Sequence, residues 1–128
     1  MENTIEELIE QVVDCAYQVH HTLGPGFLES VYQNAMMVEL KEQGIKAISE
    51  YPLDVIYKDV NVGEFRADIM IEGQLIIELK AVNSLVVSHE IQLVNYLTAT
   101  NIDNGLLINF GGNRIEIKRK YRTYTKQY

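Results

Sequence analysis

Residues 65–80 read Phe65-Arg66-Ala67-Asp68-Ile69-Met70-Ile71-Glu72-Gly73-Gln74-Leu75-Ile76-Ile77-Glu78-Leu79-Lys80. Two apolar runs joined by a short turn are typical of a β-hairpin. Side chains two positions apart in a strand share a face, so Glu78 and Lys80 point to one side and Leu79 to the other. Burying a lone charge is costly, so these groups need partners. A divalent metal would balance the carboxylates of Asp68 and Glu78 better than Lys80 alone.

The turn at residues 72–74 determines whether the two carboxylates meet. A two-residue turn at Glu72-Gly73 would place Asp68 opposite Ile77 and send Asp68 and Glu78 to opposite faces. One additional loop residue pairs Asp68 with Glu78 directly. The same register gathers six side chains into one apolar face: Ala67, Ile69, Ile71, Leu75, Ile77 and Leu79. The hydrophobic pattern therefore predicts a three-residue loop, or a bulge, at residues 72–74.

Composition indicates one ordinary globular domain. The 128 residues are 47% hydrophobic and 23% charged, which is typical of globular proteins and allows a substantial core. No stretch approaches the length of a membrane span, and the acidic N-terminus lacks signal-peptide character, so we expect no membrane association. Cys15 is the single cysteine, which excludes an internal disulfide and fits a reducing cytoplasm.

Charge is unevenly distributed along the chain. The formal net charge is −7, which argues against a protein that coats nucleic acid through electrostatics alone. Residues 1–40 hold seven acidic residues and no Lys or Arg. Six basic residues lie near the C-terminus: Arg114, Lys118, Arg119, Lys120, Arg122 and Lys126. The simpler interpretation of this basic segment is a solvated strand end, and the alternative is a patch that contacts phosphates.

The periodicity predicts helices at residues 4–22, 28–43 and 88–100, and strands at 53–57, 62–71, 75–80, 105–110 and 114–119. Asn3 or Thr4 can cap the first helix, and Ser88 can open the third. The Gly24-Pro25-Gly26 break and Gly44 end the first two helices. The element order is ααβββαββ, which indicates a compact α/β sandwich with a mixed sheet.

Asp68 followed by Glu78-Leu79-Lys80 across a hairpin, and then by a helix, resembles the PD-(D/E)xK nuclease superfamily. Residues 23–32, with Gly26, Glu29 and Tyr32, are similar to the motif of the small bacterial GxxExxY family within it. The likeness continues through residues 92–97 and 105–110 and covers about residues 5–120. Ala67 stands where the superfamily often has a proline, a position that serves backbone geometry rather than metal binding.

The resemblance implies a single PD-(D/E)xK nuclease-like domain over residues 1–128. Its restriction-endonuclease-like core would be a mixed sheet of four to five strands flanked by helices. The implied activity is metal-dependent phosphodiester cleavage in DNA or RNA. The implied site has Asp68 and Glu78 as magnesium ligands, Lys80 as third catalytic residue, Glu29 as an accessory acid and metal ligand, and Gln92 as an orienting residue. Carboxylates without a Cys or His cluster suit Mg²⁺ or Mn²⁺ rather than zinc.

Several assignments stay open on the residues themselves. Asp68, Glu78 and Lys80 could instead form a buried ion-pair network. His20 could be a satisfied core histidine, or a partner of Glu29 or of a substrate phosphate.

Two tyrosines have equally open roles. Tyr32 lies one helical turn from Glu29 and shares its face, where it could support the site or simply pack. Tyr96 lies one turn from Gln92 on the third predicted helix. If Gln92 is buried its amide needs partners, which Lys80 or a water at the metal could supply; otherwise it is a polar residue on a half-exposed face.

Two non-enzymatic functions compete with the nuclease. The chain could be a binding module that kept the nuclease fold and its acidic pocket, or a structural or oligomerising domain. The acidic surface and the lack of an added DNA-binding module mean that a nuclease would take sequence specificity from a partner protein or a homodimer. We expect a cytoplasmic bacterial protein with nucleic acid as its partner.

Overall fold

The computed structural model describes residues 4–123. The helices in this range are α1 (Ile5–Leu23), α2 (Glu29–Glu42) and α3 (Val87–Thr100). The strands are β1 (Ala47–Tyr57), β2 (Val60–Ile71), β3 (Leu75–Lys80), β4 (Asn104–Asn109) and β5 (Glu116–Tyr121). The predicted order ααβββαββ and the mixed α/β architecture are confirmed. No helix within residues 4–123 is long and apolar enough to cross a bilayer.

The five strands form one sheet whose spatial order follows the chain, β1-β2-β3-β4-β5. Neighbouring strands are antiparallel except β3 and β4, which are parallel. A parallel pair needs a long crossover, and α3 supplies it. The carboxyl ends of β3 and β4 therefore lie at the same edge of the sheet.

Helices cover both faces of the sheet. The α1–α2 layer packs on one face through a large apolar cluster that includes Leu8, Val12, Met36, Ile69, Ile77 and Leu79. The α3 layer packs on the other face through a smaller cluster that includes Met70, Ile76, Leu93, Tyr96, Leu97 and Leu107. Residues 75–79 of β3 are buried throughout, which explains the continuous apolar run of this central strand.

The β2–β3 turn has the predicted three-residue loop. Ile71 pairs with Leu75, and two residues earlier Ile69 pairs with Ile77. Glu72 and Gly73 adopt left-handed φ values of 50° and 68°, and the Gln74 N–H donates to the Ile71 carbonyl at 2.9 Å. The register predicted from the hydrophobic pattern is confirmed.

Some strand predictions are wrong. β1 begins at residue 47 rather than 53, because residues 47–52 pair with β2 although their polarity does not alternate regularly. β5 spans 116–121 rather than 114–119. Ala67 packs in the α3 cluster rather than beside Ile69. The β1–β2 ladder lacks a Glu50–Asp68 pair, and Glu50 has a φ of 54°, so the regular alternation is interrupted next to Ala67.

One predicted helix cap is confirmed and one is wrong. Thr4 caps α1 as predicted, since its Oγ1 accepts the Glu7 N–H at 3.1 Å. Asn3, the other candidate cap, lies outside the described residues. Ser88 is not a cap but an internal residue of α3, whose cap position is Val86. The Val86 N–H donates to Nδ1 of His89 at 3.2 Å, so the third residue of the helix accepts the N–H of the cap position, and Val86 contributes no side-chain cap.

Most of the basic segment is occupied by ion pairs with acidic side chains. The pairs are Lys118–Glu90 (3.1 Å), Lys120–Glu90 (3.0 Å), Arg119–Glu6 (2.8 Å) and Arg122–Asp103 (3.0 Å). Lys126 lies outside the described residues. This pairing supports the solvated-strand interpretation of the segment over a ready-made phosphate patch.

Candidate functional site

Asp68 on β2 and Glu78 on β3 lie side by side where the two strands stop pairing. The Asp68 N–H donates to Oε2 of Glu78, and the Leu79 N–H donates to Oδ2 of Asp68, both at 2.7 Å. Each carboxylate thus takes the place of a main-chain carbonyl in the β ladder. Each carboxylate has a second oxygen that takes no backbone N–H, and a side-chain hydrogen bond joins Asp68 to Glu78.

Burial makes both carboxylates hard to ionise. Glu78 is 5% exposed, and burial together with the neighbouring Asp68 charge raises its pKa to about 8. Burial also raises the pKa of Asp68, and the hydrogen bond from the Leu79 N–H opposes that rise. Without a cation the pair therefore favours retaining a proton near neutral pH. A bound cation would remove that preference.

Lys80 lies two residues after Glu78, opposite Asn109 of β4. Its positive charge lowers the pKa of Asp68 and of Glu78. In the described part of the chain, however, the Lys80 ammonium makes no hydrogen bond and no ion pair within 4.0 Å. The buried ion-pair network considered as an alternative is therefore not formed among residues 4–123.

Two further carboxylates border the pair. Glu29 is the first residue of α2 and is partly buried; burial and the charge of Asp68 raise its pKa, while Lys80 lowers it. Glu50 on β1 adds a negative charge that raises the pKa of both Asp68 and Glu29. Sequence analysis did not identify Glu50, because no motif or spacing connects it with the hairpin. Its left-handed φ of 54° in mid-strand is visible only in the structure.

A buried glutamine fastens α2 to the sheet at this point. Gln33 lies one helical turn after Glu29 and is 8% exposed. Its Nε2 donates to the main-chain carbonyl of Asp68 at 3.1 Å and to Oγ of Ser49 at 3.4 Å. One side chain thus links the helix that carries Glu29 to the strand that carries Asp68. The sequence analysis missed Gln33, since a single Gln in a mixed helix gives no signal without knowledge of its partners.

Tyr32 stabilises the loop between α1 and α2. Its hydroxyl donates to the Gly24 carbonyl at 2.5 Å and accepts the Phe27 N–H at 3.2 Å. Its ring is stacked on Phe110 with centroids 4.7 Å apart. Tyr32 therefore fixes the loop that leads into Glu29, and it does so by hydrogen bonding and packing.

His20 and Asn109 fix the loops at the edge of the sheet. His20 Nε2 is 2.9 Å from the Gly112 carbonyl oxygen, so the imidazole has a partner away from Glu29. Asn109 accepts the Val82 N–H at 3.0 Å and donates to the Val82 carbonyl at 2.9 Å. These contacts fix the segment that follows Lys80.

Gln92 and Tyr96 of α3 close the other side of the site. Gln92 Nε2 donates to the Tyr96 hydroxyl at 3.3 Å, so its partner is Tyr96 rather than Lys80. Burial, followed by the charges of Glu78 and Asp68, raises the pKa of Tyr96. Tyr96 thus lies within electrostatic reach of both carboxylates.

The donor set suits a hard divalent cation although it is not fully preassembled. Between residues 4 and 123, no three His, Cys, Asp or Glu side chains are already placed to hold a metal ion. Asp68 and Glu78 are in contact, whereas Glu29 interacts with them only over a longer range. The available donors are carboxylate oxygens, with no thiol or imidazole among them, which is the chemistry Mg²⁺ and Mn²⁺ prefer.

A family model described as the PD-(D/E)XK nuclease superfamily matches residues 6–120. The chain belongs to this superfamily. PD-(D/E)XK nucleases generally use divalent metals, in agreement with the oxygen donors at the site. No curated protein matches the sequence.

Among solved structures, the chain is similar in fold to the structure titled "Crystal structure of SSO0001". The TM-score is 0.59 at 20% sequence identity, and the match covers 94% of this chain. The chain spans 60% of the length of that protein. At this identity the likeness shows a shared fold and carries no information on substrate.

Proposed function

We propose that this PD-(D/E)XK protein is a metal-dependent phosphodiesterase that cleaves DNA or RNA. The observation that supports it is the contact between Asp68 and Glu78, whose carboxylates each accept one backbone N–H and lie together where β2 and β3 stop pairing. Asp68 and the Glu78-Leu79-Lys80 run give the residue pattern for which the superfamily is named. We further propose that the protein belongs to the bacterial GxxExxY group, on the basis of Gly26, Glu29 and Tyr32, and acts in the cytoplasm.

Each site residue has a role that follows from its surroundings. Asp68 and Glu78 would hold Mg²⁺ or Mn²⁺ through their carboxylate oxygens, with Glu29 as a further ligand. The ion supplies Lewis-acid polarisation of a phosphoryl oxygen and a more acidic attacking water. Lys80 has no ion-pair partner among residues 4–123, so its ammonium is available to hydrogen-bond the phosphate or the attacking water. Gln92 orients the Tyr96 hydroxyl beside the carboxylates.

A cleavage assay with matched variants tests the proposal. Plasmid, single-stranded DNA and RNA are each incubated with Mg²⁺ or Mn²⁺ and with the wild type, Asp68→Asn, Lys80→Met or Asp54→Asn. We expect the first two substitutions to reduce cleavage by at least about 100-fold, the usual loss for a group that acts on the transition state. Asp54→Asn removes an exposed acid of β1 and should leave cleavage unchanged. Cleavage that persists in both site variants would come from a contaminant and would refute the proposal.

A second candidate is a non-catalytic nuclease-fold module that binds or oligomerises through the acidic pocket. Two observations favour it: the three-carboxylate set is not preassembled in residues 4–123, and the basic segment is engaged in ion pairs. Calorimetric titration with Mn²⁺ separates the candidates. Metal binding that Glu78→Gln abolishes, without cleavage of any substrate, would favour the module. Under the nuclease proposal, a homodimer or a partner protein would supply sequence specificity.

A further inference from the structure

A neutral groove lies between α3 and the distal part of the β1–β2 hairpin. Its volume is about 760 Å³, a size typical of small-ligand sites. None of its lining residues is charged. Apolar side chains line it from both elements, and several are strongly exposed: Ile56 and Val62 at 58%, Ile91 at 54% and Phe65 at 44%. An exposed apolar cluster of this kind usually marks a binding surface.

The groove opens beside the carboxylates. Tyr96 lines it, and the pKa of Tyr96 is raised in part by the charges of Glu78 and Asp68. Phe65 contacts Tyr96 with ring centroids 5.8 Å apart, and it lies three residues before Asp68 on β2. Three residues of extended strand span about 10 Å. A strand of nucleic acid with a phosphate at the carboxylates can cover this distance with its adjacent base.

The lining matches the chemistry of an unpaired base. Phe65 offers an exposed aromatic ring for stacking, and every base has a π-face. The amides of Gln92 and Asn95 add hydrogen-bond donors and acceptors that can meet a base edge. In a duplex the base faces are stacked and paired, so only unpaired bases can enter such a groove.

We propose that the groove between α3 and the β1–β2 hairpin is a base-binding subsite, so that the substrate is a nucleic-acid strand with unpaired bases. This inference rests on the proposed function and adds the substrate class to it. Base contacts would also supply affinity that the acidic protein cannot draw from its paired basic segment. Phe65 is the main specificity residue, and Ile91 on the opposite wall completes the apolar contact.

Binding measured under conditions that prevent cleavage tests the subsite separately from catalysis. Fluorescence anisotropy is measured in EDTA with four labelled probes of one length: a DNA strand, an RNA strand, an abasic DNA strand and the DNA duplex. Phe65→Ala should weaken binding of the base-bearing strands about 5- to 150-fold, the range for losing one stacking aromatic. Binding of the abasic strand and of the duplex should not change. Phe65→Tyr keeps the ring and should bind as the wild type does.

Matched variants guard against a folding artefact. Tyr57→Ala removes an exposed aromatic of the same hairpin that does not line the groove, and it should leave binding unchanged. Ile91→Ala trims the opposite wall at an exposed helix position and should give a smaller, base-dependent loss. Thermal unfolding of each variant confirms that it is folded.

Defined outcomes overturn the inference. It fails if the wild type binds no strand, if Phe65→Ala has no effect, or if the variant weakens abasic and base-bearing strands equally. It also fails if light scattering shows a dimer that Phe65→Ala dissociates, since a second copy would then fill the groove. If Phe65→Ala weakens binding of base-bearing strands only, but the protein cleaves no substrate, the subsite is retained and the nuclease proposal is refuted. If Phe65→Ala leaves cleavage of both the single strand and the duplex unchanged, the nuclease proposal is retained and the subsite is refuted.

Discussion

At the residue scale, the site consists of two carboxylates that accept backbone N–H groups in place of main-chain carbonyls. Asp68 and Glu78 each accept a backbone N–H at 2.7 Å that a carbonyl would accept in a regular ladder. The backbone therefore positions both acids, and Glu78 is buried while Asp68 is partly buried, which leaves them little freedom to move apart. Two negative groups held in this way are mutually repulsive, and only a proton or a cation relieves the repulsion.

The first prediction concerns stability against pH in the metal-free protein. The carboxyl of Glu78 has an ordinary pKa of 4.5, which the folded state raises to about 8. Between these values the folded state binds more protons than the unfolded state, so the free energy of unfolding falls as pH rises. We expect a loss of roughly 2–4 kcal/mol between pH 4.5 and 8 that levels off above pH 8.

Urea unfolding in EDTA across this range measures that loss. Glu78→Gln cannot ionise and should give a much flatter profile. Mn²⁺ should stabilise the wild type more at pH 8 than at pH 5. At pH 5 the cation has to displace a proton from the carboxylates, whereas at pH 8 much of that proton has already dissociated. A wild-type profile as flat as that of Glu78→Gln would contradict the prediction.

The second prediction concerns Glu50, which has a φ of 54° in the middle of β1. A left-handed φ costs a residue with a Cβ about 1–2 kcal/mol, and glycine avoids this cost. Glu50→Gly should therefore be about 1 kcal/mol more stable than Glu50→Ala, although both lack the charge. Chemical denaturation of the two variants gives the difference directly. Equal stabilities would show that position 50 carries no backbone strain.

At the element scale, the hairpin was predictable because a one-residue shift in the pairing register would have turned every side chain of one strand to the opposite face of the sheet. The register that pairs Asp68 with Glu78 also places Ile69, Ile71, Leu75, Ile77 and Leu79 on one apolar face, and this agreement indicated the three-residue loop. Residues 47–52 of β1 could not be recognised as strand, since they lie on an edge strand with irregular burial. Gln33 and Glu50 were missed for a related reason: their roles depend on contacts between distant elements, which no local pattern encodes.

The third prediction concerns the attachment of α2 to the sheet. Gln33→Met preserves length and apolar packing but leaves the Asp68 carbonyl without its hydrogen bond. Loss of a buried hydrogen bond should destabilise the protein by about 1–2 kcal/mol. Because the same bond links Asp68 with the helix of Glu29, Mn²⁺ affinity measured by calorimetry should also fall. Gln18→Met on the exposed face of α1 serves as the control and should change neither value. If Gln33→Met is destabilised but its Mn²⁺ affinity is unchanged, Gln33 contributes to stability and not to metal binding.

At the scale of the whole molecule, charge is arranged to limit electrostatic attraction to nucleic acid. The net charge is −7, and the basic segment near the C-terminus is largely paired with acids of α1, α3 and the loop before β4. A nuclease with this surface cannot depend on backbone phosphates for affinity. Under the function and the subsite proposed above, its affinity comes from the site itself and from contacts to bases.

The last prediction follows from Glu90, which pairs with both Lys118 and Lys120. Each phosphate contact contributes about −0.7 to the slope of log K against log salt for a single strand, so the wild type should show a shallow slope. Glu90→Gln releases both lysines, and it should raise strand affinity and steepen the slope by about 1 to 1.4. Asp54→Asn removes the same charge without releasing a cation. Anisotropy titrations over a salt series compare the variants, and a slope for Glu90→Gln equal to that of Asp54→Asn would show that pairing does not mask the basic segment.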